Sequence, residues 1–357
     1  MPHQNEPKSS KLLVTGVVSF YLVAALAMVV ANKKVLNETT TPLFFLFCQL
    51  FIAVILFLAS DALRLLPDRL TFDINTCKGL VPMVSLNVVG LSLSNYTLAH
   101  VDASFYQVAR GLVLPFTVVA TLVFLHSTPS VRIILACSLV TAGFFVGVFL
   151  DGVRPSMVGV AFGVASSLIT AVHSVVIKKS LAVVNGSALM LSWYTNLLSA
   201  IVLIPILILV GEVPGIMKLL VGEFTGVDGT TSPLKIFLWG SLITGCLGFL
   251  MSIASLLSIK VTSPITHMIS SAVRGVAASM LGKWYFGDII TTGRASSIGI
   301  ILLGSAYYTW VKHQESQTGA KGSEAPQASS RDGRGSYERV KMDELDLEAA
   351  KKETKPE

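Results

Sequence analysis

Ten apolar runs, each about as long as a bilayer is thick, recur along this 357-residue chain and narrow its options more than any other feature. They cover about residues 12–31, 43–60, 80–98, 103–125, 131–150, 157–176, 189–210, 236–258, 264–286 and 295–311. In hydrocarbon every backbone N–H and C=O needs an internal partner, which leaves helices or a closed barrel. The runs show no strand-like alternation, so they predict helices. Composition agrees: 52% of residues are hydrophobic, 13% are charged, and the mean hydropathy is +0.70. A soluble domain carries roughly 25% charged residues. The expected fold class is an all-α membrane protein with ten transmembrane helices.

The ends of the runs fit this reading. Pro42, Pro129, Pro155 and Pro264 stand near predicted starts, where a missing N–H costs little. The run at 12–31 is too long for a signal-peptide core and is expected to remain as the first span. An even number of spans puts both termini on one face. Eleven lysines and arginines, from Lys8 to Lys321, fall on that face, and six, from Lys33 to Arg294, on the other. The bias predicts that both termini are cytosolic, residues 1–11 included. Residues 313–357 are rich in Gly, Ser and charge and predict a disordered cytosolic tail. Asn37-Glu38-Thr39 is a glycosylation triplet on the opposite face, close to the membrane.

Several function classes are disfavoured. The net charge of +6 is not gathered into a dense patch, so nucleic acid is not an expected partner. Six histidines are scattered, and Cys48, Cys77, Cys137 and Cys246 have no metal or redox spacing, so no metal, no cofactor and free thiols are expected. No cluster of acids or nucleophiles marks an enzyme.

Ten spans invite division into two five-helix repeats, 12–150 and 157–311, inverted because five is odd. Val108-Ala109-Arg110-Gly111 in the fourth span is echoed by Ala272-Val273-Arg274-Gly275 in the ninth. At 1.5 Å per residue Arg110 lies roughly 10 Å into its span and Arg274 roughly 15 Å, near the middle of a core about 30 Å thick. Each arginine at such depth costs about 2.5–3.5 kcal/mol on an insertion scale. Asp102 and Asp288 stand near span ends, so no carboxylate is expected at the midplane. One reading makes the arginines structural ties. The other makes the missing counter-charge a ligand phosphate, whose oxygens match the guanidinium fork.

Other polar residues divide between ligand contact and helix association. Lys33, at the end of the first span, is a candidate guide for an anion or an interfacial residue. Lys283, with Trp284 and Tyr285, reads as an interfacial anchor. Asn87, Asn95, Tyr96, Tyr106, Gln107, Tyr194, Thr195, Asn196, His267, Ser270 and Ser271 could orient a base or a sugar. The pairs Gly143/Gly147 and Gly159/Gly163 predict close helix packing.

Taken in order, several stretches are similar to one family. They are Ser19-Phe20-Tyr21 through Ala31-Asn32-Lys33, Phe105 to Arg110, Trp193-Tyr194-Thr195-Asn196 through Gly211-Glu212, Ile259 to His267, and Gly304 to Val311. Over about residues 12–315 the chain resembles the nucleotide-sugar transporters of the drug/metabolite transporter superfamily, and among them the GDP-fucose transporter group. The resemblance implies a Golgi antiporter with ten helices and cytosolic termini, which imports a nucleotide-sugar and releases the nucleoside monophosphate. Asn32 and Lys33 match the family's pair in the first span. The family's aromatic-Tyr-Asn-Asn motif, which helps bind the base, stands here as Trp193, Tyr194, Thr195 and Asn196, altered at the third position. Ser271 to Gly275 departs from the Gly-Ala-Leu-Asn-Lys of the GDP-mannose group. The GDP-fucose group carries lysine where this chain has Arg274.

The substrate-binding residues expected are therefore Lys33, Tyr106, Arg110, Tyr194, Asn196, Ser270, Ser271 and Arg274. The diphosphate would lie between Arg110 and Arg274, the base against Tyr194 and Asn196, and the sugar near Ser270 and Ser271. Implied partners are a nucleotide-sugar, a nucleoside monophosphate and membrane lipid; a homodimer is one assembly the resemblance leaves open. A UDP-linked sugar such as UDP-galactofuranose is the alternative substrate, with another phosphorylated metabolite more distant. A channel, a membrane enzyme and a non-transporting receptor are the rival classes.

Overall fold

The computed structural model describes residues 11–152, 155–221, 232–261 and 264–322, and these are helical apart from short connections. Twelve helices follow in order: α1 (Lys11–Glu38), α2 (Pro42–Ala62), α3 (Ile74–His100), α4 (Ala103–Gly111), α5 (Val113–Leu125), α6 (Val131–Phe149), α7 (Met157–Val183), α8 (Ala188–Val210), α9 (Val213–Val221), α10 (Pro233–Val261), α11 (Pro264–Phe286) and α12 (Thr292–Gly322). Among the described residues eight segments are long and apolar enough to cross a membrane, with α4 and α5 together counting as one. The protein is thus an all-α, multi-pass membrane protein with at least eight such helices. α11 and α12 occupy the positions of the ninth and tenth expected spans. By contact clustering the chain divides into residues 1–315, which hold the bundle, and 316–357, of which the described part is the helical end up to Gly322.

Where the helices depart from expectation, the cause is that hydropathy marks the length immersed in lipid and not the length of the helix. α1 runs on to Glu38 through Asn32, Lys33 and Lys34. α3 begins at Ile74 because the Asp73 carboxylate accepts from the Thr76 N–H at 2.8 Å and caps the first turn. α12 continues to Gly322, so the part of the expected tail from 313 to 322 is helical; residues 323–357 and 1–10 lie outside the described residues. The fourth span is interrupted at Leu112, immediately after Arg110-Gly111. α9 has no counterpart among the predicted runs because it is too short to cross.

Consecutive spans alternate in direction. One face of the bundle, here the terminal face, carries Lys11 and the connections at 63–73, 126–130 and 184–187. The opposite face carries those at 39–41, 101–102, 150–156 and 287–291. The most extensive packing is α3 on α7, α1 on α10 and α10 on α2, followed by α5 on α7, α2 on α8, α3 on α8, α1 on α11 and α11 on α4.

Small residues let these helices approach. A Cβ on Gly143 would sit 2.8 Å from Ile301, and one on Gly147 would sit 2.6 Å from the Ser297 hydroxyl, so α6 meets α12 through bare backbone. Ser297 Oγ donates to the Gly143 carbonyl at 2.7 Å across the same contact. Gly163 opens α7 to Ala109 of α4 in the same manner, at 2.8 Å. The four cysteines are free.

Candidate functional site

The α4 segment buries Ala103, Phe105, Val108 and Ala109 against neighbouring helices and turns Arg110 towards a cavity inside the bundle. Arg110 is consequently exposed although it stands deep in a span. One turn back, Tyr106 accepts from its Nη1 at 3.4 Å, and the guanidinium carbon lies 5.7 Å from the tyrosine ring centre. The Tyr106 hydroxyl also shares a 2.6 Å hydrogen bond with Ser94. Arg274, from α11, lines the same cavity, bonds the Tyr21 hydroxyl of α1, and stands close enough to Arg110 for the two charges to repel.

The cavity has two chambers. The first, about 300 Å³, holds Arg110, Arg274, Tyr106 and Gln107. The second, about 410 Å³, is walled by Ser192, Thr195 and Asn196 of α8 and by Thr244 and Ser252 of α10. Tyr21, Gln49, Asn87 and His173 belong to both walls, so the chambers adjoin. The second chamber reaches Leu191 and Ser192 in the first turns of α8, at the terminal face. Gln49 Nε2 donates to Asn32 Oδ1 at 2.8 Å and to Thr244 Oγ1 at 2.9 Å, tying α1, α2 and α10 together along the wall. No Asp or Glu is among the described lining residues of either chamber. Two guanidiniums, hydroxyls and amides without a carboxylate make a site for an anion with a polar remainder.

Of the eight residues expected from sequence, Arg110, Arg274 and Tyr106 come together in the first chamber and Asn196 lines the second. Lys33 does not line either. Its ammonium is buried and donates to the Leu98 carbonyl at 2.9 Å and the Val101 carbonyl at 2.7 Å, where it satisfies the end of α3. Tyr194 also turns away: it is fully buried, and its hydroxyl accepts from the Asp73 N–H at 2.9 Å. Trp193 beside it donates to the Thr71 carbonyl at 3.2 Å. The aromatic half of that motif therefore clamps the connection between α2 and α3. Thr195 and Asn196, further round the helix, face the chamber. Ser270 and Ser271 lie on a part of α11 where only the backbone is described, and their side chains fall outside the described residues. Sequence reasoning did not single out Tyr21, Gln49 or His173 as binding residues. Each is a polar side chain within an apolar run, the same signal that exposed Asn87.

The opposite end of the bundle holds a network of partly and fully buried charges. Arg294, at the start of α12, is 1% exposed. It donates through Nε to Asp151 at 2.7 Å, and through Nη1 to Asp102 at 2.7 Å and the Ser104 hydroxyl at 2.9 Å. Thr291 Oγ1 also donates to Asp151. Asp288 accepts from the Ser104 N–H at 3.4 Å; burial, with repulsion from Asp102, pushes its carboxyl above the usual carboxylate range. Glu212, buried after α8, accepts from the N–H groups of Leu43 at 3.0 Å and Phe44 at 2.9 Å, at the positive end of α2. It also accepts from the Tyr96 hydroxyl at 3.2 Å. From sequence, Asp102 and Asp288 stand near span ends and Arg294 only counts towards the charge of one face.

Comparison with known proteins adds four findings. The family described as the Triose-phosphate Transporter family matches residues 12–309. A Drosophila melanogaster protein named "GDP-fucose transporter, Golgi" is 32% identical over 334 residues, covering 88% of this chain and 94% of its own length. A Dictyostelium discoideum protein named "GDP-fucose transporter 1" is 30% identical over 310 residues, covering 84% and 81%. A solved crystal structure at 13% identity superposes with a TM-score of 0.52 over 86% of this chain and 99% of the other, which is a likeness of fold.

Proposed function

Because the chain belongs to the triose-phosphate transporter family, whose members carry solutes and are not enzymes, we propose that it exchanges a nucleotide-sugar for the corresponding nucleoside monophosphate across the Golgi membrane. The observation that carries this reading is the convergence of Arg110 and Arg274, from different halves of the chain, on one cavity without a lining carboxylate. Their forks suit the two phosphates of a nucleotide-sugar. Thr195 and Asn196 offer the second chamber a hydroxyl and an amide for a base edge. The relatives' names make GDP-fucose the first substrate to test. A UDP-linked sugar is the second reading, since Thr195 stands in the chamber wall where the related motif has asparagine.

Ten spans in two inverted repeats, 12–150 and 157–311, are the architecture proposed. The helix packing supports it. Exchanging each span for the one five places along turns the α3–α7 contact into α10–α1, α2–α10 into α8–α3, and α5–α7 into α11–α1. The α2–α8 and α4–α11 contacts map onto themselves. A pseudo-two-fold axis of that kind puts Arg110 and Arg274 in equivalent places.

In this proposal the conformer described is open towards the terminal face and shut at the opposite one, where Arg294, Asp102 and Asp151 meet. With both termini in the cytosol, the open face is cytosolic. Binding of a diphosphate neutralises two guanidiniums that otherwise repel each other, and the loaded cavity can then be closed off from water. The empty one would strand both charges, which favours exchange over one-way passage. Counterflow in liposomes preloaded with GMP or UMP, challenged with labelled GDP- and UDP-sugars, tests the proposal. Uptake driven only by the matching preload is expected; uptake indifferent to preload would make the protein a channel.

A further inference from the structure

The wall common to both chambers holds four polar side chains, and three have partners. Gln49 bonds Asn32 and Thr244, Asn87 donates to Ser199 Oγ at 3.0 Å, and Tyr21 meets Arg274. The fourth is His173, near the middle of α7, whose Nε2 is buried and has no hydrogen-bond partner among the described residues. Buried polar atoms in folded proteins are almost always paired, and Nε2 is shut off from the cavity as the ring stands, so the ring has to turn before a partner in the cavity can meet it.

The position of the ring narrows what that partner is. On the nucleotide-transport reading, on which this inference rests, the phosphates lie by Arg110 and Arg274 and the base lies by Thr195 and Asn196. The segment of ligand that passes the shared wall is then the one between phosphate and base, the ribose. A neutral imidazole offers one N–H donor and one lone pair, and a ribose hydroxyl is both acceptor and donor. A half-turn about the Cβ–Cγ bond exchanges the positions of Nε2 and Cε1, so the ring can choose which edge it presents. We propose that His173 hydrogen-bonds the vicinal ribose hydroxyls of the bound nucleotide and makes the carrier prefer ribonucleotides to their dideoxy counterparts. A site built to bond a hydroxyl rejects the analogue lacking it, because the site's own polar atom is then left unpaired.

The test is competition against nucleotide-sugar counterflow by the full-length protein in liposomes, with GMP, UMP and their 2′,3′-dideoxy forms as competitors. Wild type is expected to bind the better ribonucleotide at least about tenfold more tightly than its dideoxy form. His173→Ala should bring that ratio near one by weakening the ribonucleotide while leaving the dideoxy form little changed. His173→Gln, whose amide nitrogen falls near Nε2, should keep most of the preference. Should the alanine variant not fold, His173→Leu against His173→Gln makes the same comparison. A ratio near one in wild type, or an undiminished ratio in the alanine or leucine variant, overturns the assignment of His173 and leaves nucleotide transport standing. Binding of no nucleotide by wild type overturns both.

Discussion

Arg294 and the pair Arg110–Arg274 are the same side chain in the same kind of apolar helix, yet the bundle treats them in opposite ways. Arg294 is sealed from solvent at the opposite face, with Asp151 on one nitrogen and Asp102 and Ser104 on another. Arg110 stands open to a cavity, with the neutral Tyr106 hydroxyl at 3.4 Å as its partner, and Arg274 shares that cavity beside Tyr21. A cation neutralised by carboxylates holds helices together. A cation that faces a cavity keeps its capacity for an anion that arrives later. On the proposed function, depth and residue type do not separate the two roles; the charge of the surroundings does.

The contrast is broken most sharply by removing each arginine in turn. Arg294→Ala leaves the fully buried Asp151 carboxylate without its guanidinium and should cost about 3–5 kcal/mol of stability. A thermal unfolding scan in detergent checks this as a large fall in midpoint. Arg110→Ala and Arg274→Ala take a repelling charge out of the cavity and should leave that midpoint nearly unchanged. Exchange in proteoliposomes should fall roughly 100-fold, the worth of one or two charge-assisted hydrogen bonds. Arg274→Lys should recover part of it, because the charge survives and the fork does not. Near-normal exchange by either alanine variant would reject the proposed phosphate site.

The next effect is smaller and belongs to Glu212. Glu212→Gln keeps one acceptor for the two N–H groups at the start of α2 but loses the charge facing the helix dipole. A loss of about 1–2 kcal/mol in stability is expected, with substrate competition unchanged. Denaturant midpoints and the competition assay separate the two outcomes.

Acidity gives a further handle on the end of the bundle that holds Arg294. Asp288 faces Asp102, Lys33 and Arg294 as well as the Ser104 N–H, and its carboxyl lies above the usual range because burial and Asp102 disfavour its charge. A carboxyl raised in the folded state binds its proton more tightly there than when unfolded. Between the ordinary carboxylate value of 3.8 and the raised one, stability therefore increases as pH falls. Asp288→Asn should flatten that slope, as read from unfolding midpoints across mildly acidic pH.

Much of this organisation was legible in the chain itself, and the part that was not has a common cause. Lipid imposes helices, so apolar runs located most of the described elements. Arg110 and Arg274 stood out because a charge in an apolar run is costly wherever the fold puts it. Lys33 and Tyr194 were harder because their roles depend on direction. Two residues' rotation along a helix is about 200°, enough to separate Tyr194, which faces Asp73, from Asn196, which faces the second chamber. Lys33 reaches carbonyls more than sixty residues away. Asp102, Asp151 and Arg294 each look like an ordinary charge near a span end, and only tertiary pairing makes them a lock.

The smallest expected effect tests that directional lesson. Tyr194→Phe removes the hydroxyl that accepts from Asp73 N–H but keeps the ring against Phe72, so the connection between α2 and α3 loses one hydrogen bond and no packing. Stability should fall by about 0.5–1.5 kcal/mol, and nucleotide competition should stay within twofold of wild type. Asn196→Ala should do the reverse, weakening competition while leaving the midpoint nearly in place, because its amide faces the chamber and, among the described residues, bonds its own helix at the Ser192 carbonyl. A Tyr194→Phe variant that lost base selectivity would place the motif's aromatic half in the binding site after all and would require α8 to turn between states. Retained selectivity in Tyr194→Phe with loss in Asn196→Ala would fix the division of that motif at the boundary between residues 194 and 195.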